Sequence, residues 1–143
     1  YTTLFRSVGI DMNRLLLMLA VMEKRAYTPF YALDVYVNVM GGIKLSEPAA
    51  DLAVALALAS GANNIPVPKE VCAFGEIGLT GEVRGVTQAE KRVAECVRLG
   101  AKKIVLPAKN RDGMQKFADK VELVYVKHVY QAIKLIFTNE KQL

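Results

Sequence analysis

Tryptophan is absent from this chain of 143 residues, histidine occurs once and cysteine only twice. Cys72 and Cys96 lie in no CxxC and no Cys/His ligand pattern, so they read as two reduced, packed thiols rather than a disulfide or a metal site. No apolar run reaches the roughly 20 residues that span a bilayer. LLLMLAVM at 15–22 and AADLAVALALA at 49–59 therefore read as buried helices. No basic stretch leads into an apolar core with a small-residue cleavage site, and the default expectation is a cytoplasmic protein without membrane contact. A GxxxxGK[ST] loop to cradle nucleotide phosphates is also missing, as is any low-complexity segment.

What is present points to a globular chain. Hydrophobic residues make up 52% and charged residues 23%, whereas disordered chains combine low hydrophobicity with high net charge. The length fits one domain. A net charge of +5 and a pI near 9.3 permit contact with a polyanion without requiring it.

DMNRLLLMLAVMEKR predicts a helix with Asp11 as N-cap and with Lys24 and Arg25 suited to the negative end of the helix dipole. LDVYVNVM, 33–40, alternates Leu33, Val35, Val37 and Val39 with Asp34, Tyr36 and Asn38, which is strand periodicity ended by Gly41 and Gly42. LSEPAADLAVALALAS predicts a helix capped by Ser46 or Glu47, with Pro48 in a first turn where its missing N–H has no partner. Asp51 stands inside that apolar helix, and a buried carboxylate requires a donor. It is expected to accept hydrogen bonds from a backbone or basic group, within the domain or across a subunit contact.

NNIPVP reads as a loop, and VCAFGEIGLTGEVRGV as two short strands joined near Leu79 and Thr80. TQAEKRVAECVRLG places Ala89, Val93, Cys96 and Val97 on one helix face, with Gly100 as the stop. KKIVLP and VELVYV predict strands, RDGMQKFA a weak helix, and HVYQAIKLIF a last helix burying Val129, Ala132, Ile133, Ile136 and Phe137. His128 opens that helix and reads as a first-turn surface residue, Glu76 and Glu82 as cross-strand surface groups, and Met12, Met18, Met22 and Met40 as core filler. The alternation predicts a sheet with helices mainly on one side.

Four ordered blocks, VGIDMNR, DVYVNVMGGIKLSEPAADLAVALALAS, FGEIGLTGEVRGV and LGAKKIVLPAKN, resemble the C-terminal Lon-protease-like domain of the RadA (Sms) family of bacterial DNA repair proteins. The resemblance covers nearly the whole chain from Val8 onward. It implies an α+β two-layer sandwich over residues 8–143, like domain 2 of ribosomal protein S5 and the Lon proteolytic domain. YTTLFRS, residues 1–7, falls outside it and is expected to be a non-native, adapter-derived segment, to be set aside in reading the fold.

Lon-type peptidases pair a serine at a helix start with a lysine from a following helix, because an unassisted hydroxyl is a poor nucleophile. Laid over this chain, the serine position falls on Pro48 and the lysine position on Glu90, so no catalytic pair is expected. Lys91 is a helical rotation of roughly 100° away, and Thr87-x-x-Glu90 has the form of a capping box. The alternative is a peptidase using Ser46 with Lys44 or Lys91, against which stands the simpler reading of Ser46 as a helix cap.

The resemblance also implies partners: branched or single-stranded DNA intermediates, a homo-oligomeric ring, and contact with the RecA recombinase. Complete family members are DNA-dependent ATPases that promote branch migration. Their ATP, magnesium and zinc are expected with a phosphate-binding loop and a four-cysteine finger, neither of which this sequence contains. Strands are expected ahead of VGIDMNR in the family, and without them the chain is predicted to self-associate.

Arg84, Lys91, Arg92, Arg98, Lys102, Lys103, Lys109 and Arg111 form a basic stripe. Taken alone it reads as a solvated face interleaved with Glu82, Glu90 and Glu95, and the resemblance makes it a candidate phosphate surface. A pure oligomerisation module without DNA contact is the remaining alternative.

Overall fold

The structure, a computed structural model, describes residues 4–138. Phe5–Val8 (β1) leads into Met12–Arg25 (α1) and returns as Val35–Asn38 (β2), which pairs with β1 in parallel. Asp51–Asn63 (α2) precedes a short strand, Val71–Ala73 (β3), and a hairpin of Glu76–Ile77 (β4) with Val83–Arg84 (β5). Ala89–Arg98 (α3), Lys103–Pro107 (β6), Glu122–Val126 (β7) and Val129–Phe137 (α4) complete the chain. The central sheet has the order β3-β6-β7, all parallel. This is an α+β fold.

Sequence explains the position of β6. After Lys103, β6 runs apolar without alternation through Ile104, Val105, Leu106 and Pro107 because the strand is covered on both faces. Val105 points into the larger core, with Leu15 and Met22 of α1, Leu52 and Leu56 of α2, and Val129 and Ile136 of α4. Ile104 and Leu106, on the opposite face by the two-residue period, pack with Ala89 and Val93 of α3 and with Met114 and Phe117. Three of the four described helices thus share one side, as the alternation predicts, and α3 closes the other.

Several local expectations need correction. Phe5 to Ser7, set aside in reading the sequence, stand in β1, and Phe5 packs on the larger core. VCAFGEI does not run as one strand: it breaks at Phe74-Gly75, leaving β3 in the central sheet and β4 in the hairpin. RDGMQKFA is too rich in turn formers to hold a helix and yields only a 3-10 turn at Gln115–Phe117. Met40 is 81% exposed, just past the end of β2, and fills no core. Neither Ser46 nor Glu47 caps by its side chain; Pro48–Ala50 is a 3-10 turn running into α2. The capping box at Thr87 does not form either, since Gln88 takes a left-handed conformation and becomes the N-cap without a side-chain bond.

Candidate functional site

The chain before α1 and the turn entering α2 enclose a cavity of about 260 Å³, lined by Asp11, Arg14, Ser46, Glu47, Pro48 and Asp51 together with apolar groups. The start of α2 is clipped to the break between β3 and β4, Gly75 N–H donating to Ala49 O at 2.8 Å and Leu52 N–H to Gly75 O at 3.0 Å. Only glycine fits there, because its φ is +156° and a Cβ would lie 2.9 Å from Val83 Cγ1.

Asp51, 3% exposed, receives Arg14 Nε at 3.0 Å, a second bond from Arg14 Nη2, and Ile77 N–H at 3.0 Å. These three donors of the buried carboxylate lie inside the domain. The sequence signal for Arg14 was its charge, alone in the apolar body of α1 just as Asp51 is alone in α2. Glu47 instead bonds Arg92 of α3, whose Nε also donates to Thr87 O at 3.0 Å. That guanidinium, by hydrogen bond and by charge, holds the Glu47 carboxyl below the usual carboxylate range.

Pro48 and Glu90, the positions matched to the dyad, flank this Glu47–Arg92 clasp in sequence. Glu90 turns outward to Lys116. Ser46 lines the cavity, but neither Lys44 nor Lys91 does. Each acid of the lining is already engaged: Asp11 accepts Arg14 N–H at 3.1 Å, Glu47 holds Arg92, and Asp51 holds Arg14. Arg14 and Arg92 thus tie α1 and α3 to the turn that enters α2.

Cys72 and Cys96 are both free thiols packed on the smaller core. Burial, and then the neighbouring Cys72, push Cys96 up to about 12, so it stays a protonated, weakly nucleophilic thiol. His128 is the N-cap of α4: its Nδ1 accepts Tyr130 N–H at 3.1 Å and its Nε2 donates to Thr80 O at 3.0 Å, tying the hairpin turn to the helix.

The basic stripe divides between the two ends of the central sheet. Lys102 and Lys103 stand at the start of β6, where Lys103 lies 3.6 Å from Glu122. Lys109 and Arg111 follow its end, and Arg111 stacks over the Tyr125 ring at 4.4 Å from the centroid. Arg92, Arg98 and Arg84 are paired with Glu47, Glu95 and Glu82. Lys91 is an exposed residue of α3. At the β6 end, Arg84, Lys109 and Lys127 line a hollow of about 390 Å³ with Glu82, Val83 and Ala108. Lys127 escaped sequence reasoning because it is a single lysine between a strand and a helix. The hairpin brings it into place, with Val83 N–H donating to Lys127 O at 2.8 Å.

A covered parallel sheet, a crevice at the start of α2 and a clasp from α3 define the class. The chain matches the Lon protease (S16) C-terminal proteolytic domain over residues 16–139, and it belongs to that family. Within it, the chain is similar to proteins named DNA repair protein RadA. It is 43% identical to that of Bacillus subtilis over 128 residues, 90% of this chain and 28% of the relative. It is 43% identical to that of Aquifex aeolicus and 39% to that of Chlamydia muridarum, each over 132 residues, 92% of this chain and 29% of the relative. The chain thus spans under a third of the length of these relatives. No described helix is long and apolar enough to cross a membrane.

Proposed function

We propose that this chain serves DNA repair as the Lon-like domain of a RadA-type protein: a non-catalytic scaffold that contacts the phosphates of recombination intermediates. The observation that carries the scaffold reading is the crevice, where a proline stands at the matched serine position and the Arg14–Asp51 ion pair lines the interior. The contact reading is supported by the hollow in which Arg84, Lys109 and Lys127 converge, on a chain of net charge +5. The name shared by the relatives supports repair as the process.

In a complete protein of this type the domain would sit in a homo-oligomeric ring, beside a DNA-dependent ATPase that promotes branch migration and works with the RecA recombinase. ATP, magnesium and zinc would serve that remainder. The sequence here has no GxxxxGK[ST] loop, and among the described residues no three His, Cys, Asp or Glu side chains are placed to hold a metal ion.

The test is binding of the chain to forked DNA between 50 and 200 mM salt, conditions over which phosphate contacts weaken steeply. The double variant Lys109→Glu/Lys127→Glu should lower affinity about tenfold or more and shallow the salt dependence, whereas Lys102→Glu at the far end of the sheet should do less. Equal affinity for all three proteins, or binding indifferent to salt, overturns the phosphate surface.

A further inference from the structure

We propose that the surface where α1 ends beside α4 is a stacking platform for the unpaired bases of a single-stranded nucleic acid. The proposal rests on the DNA-contact reading above and adds to it a second, chemically different part. Its core is three tyrosines that the solvent reaches: Tyr27 at 77% exposure, Tyr31 at 75% and Tyr130 at 42%. Tyr27 and Tyr130 meet edge to face, centroids 5.5 Å apart and planes at 87°. Tyr27 and Tyr31 line one hollow of about 360 Å³ with Glu23, Lys24, Thr28 and Pro29.

Tyr27 is hard to explain by folding. It follows the C-cap of α1 with φ +54°, a left-handed conformation that glycine adopts freely and bulky residues rarely do. Its side chain buries almost nothing, so neither the backbone nor the core calls for an aromatic ring there. A ring that stands against the preference of its backbone, exposed and meeting a second exposed ring edge to face, points to something outside the domain.

The charge around the rings selects the occupant. Lys24 and Arg25 end α1, while the one acid among them, Glu23, is engaged by Phe30 N–H at 3.0 Å. Arg25 and His128 both flank the hairpin turn, since a Cβ added to Gly81 would lie 2.9 Å from Arg25 Cβ and 2.5 Å from His128 Nε2. Lys127, next in sequence, lines the hollow of Arg84 and Lys109 on the other side of that hairpin. Cations and rings therefore alternate around the start of α4, the combination by which proteins hold single strands: positive groups follow the phosphates and aromatic faces take the bases. A duplex keeps its bases stacked inside and offers the tyrosines nothing.

The experiment measures fluorescence anisotropy of the 143-residue chain with labelled twelve-nucleotide oligothymidine, and with an abasic strand of the same length and charge. Tyr27→Ala and Tyr130→Ala should each weaken oligothymidine binding by about 5- to 150-fold, the range for loss of one base–aromatic stack. Binding of the abasic strand should stay unchanged, and Tyr27→Phe should restore the loss. Both tyrosines are exposed, so unchanged melting of the variants separates this effect from folding. Undiminished oligothymidine binding by the alanine variants, with Lys109→Glu/Lys127→Glu still weakening it, overturns the platform and leaves the phosphate surface standing. Failure of the unaltered chain to bind any strand at low salt overturns both. Alanine variants that change self-association but not strand binding overturn the platform in favour of a protein contact.

Discussion

Asp51 and Arg14 reach each other from the first turns of two helices with long apolar runs, 37 positions apart in the chain. The two are unequally dry: the aspartate side chain is 4% exposed and the arginine 33%. Breaking a buried ion pair by removing one partner costs about 3–5 kcal/mol, most of it from the charge left behind. Arg14→Met leaves the carboxylate with Ile77 N–H alone and should lose stability in that range. Asp51→Ala lets the guanidinium swing to water and should cost about 2 kcal/mol, the one freed N–H included. Urea denaturation of both variants checks the order, and a larger loss for Asp51→Ala would show that the arginine is the trapped member. The need for a donor to Asp51 was readable in the sequence because the helix around it is apolar. The identity of the donor was not, and neither was the pairing of Glu47 with Arg92, because nothing local relates residues that far apart.

The β4–β5 hairpin depends on one carboxylate. Glu82 accepts Thr80 N–H at 3.1 Å, the Thr80 hydroxyl, and Arg84 Nε and Nη2 at 3.1 and 2.8 Å. The Thr80 hydroxyl leads in lowering its pKa from the ordinary 4.5 to about 2. A carboxyl depressed by folding contributes stability that is complete above its unfolded value and fades as the pH falls toward the folded one. Melting temperature should therefore drop between pH 4.5 and 2, and Glu82→Gln should flatten that drop; an identical acid limb in the variant would remove Glu82 from the account. Elements with a clear period were legible in advance, as Val93 and Ala89 of α3 and Val129, Ala132 and Ile136 of α4 show. Elements decided by backbone conformation were not. Thr87 and Glu90 spell a capping box, yet Gln88 at φ +56° starts the helix one residue later and frees Glu90 for Lys116.

The molecule has a covered sheet at its centre and an uncovered one at its side. The outward face of β1–β2 exposes Val8 and Tyr36, each at 65%, and the chain just beyond adds Met40 at 81% and Ile43 at 60%. A joined apolar area of this kind favours association. Sedimentation should show mass rising with concentration, and Met40→Glu/Ile43→Glu should suppress the rise without lowering the melting temperature. A monomer at every concentration would contradict this. The family-level architecture was open to sequence because four blocks of the chain carry its pattern in order. The division of the cations between the two ends of β6, and the arrival of Lys127 beside Lys109, emerged only once the strands were laid side by side.

The connections of the central sheet also set the order of events during synthesis. β3 pairs with β6 some thirty residues later, and β6 with β7 across a further turn, while the hairpin is the one locally closed pair among the described strands. The larger core, moreover, takes Val129, Ala132 and Ile136 from α4 against Leu15 and Met22 of α1. Contacts so distant along the chain form slowly. Leu15 and Met22 of α1 can close on Leu52 and Leu56 of α2 as soon as that helix emerges, but the wall that α4 supplies comes last, and until then the growing core keeps one side open to other oily surfaces.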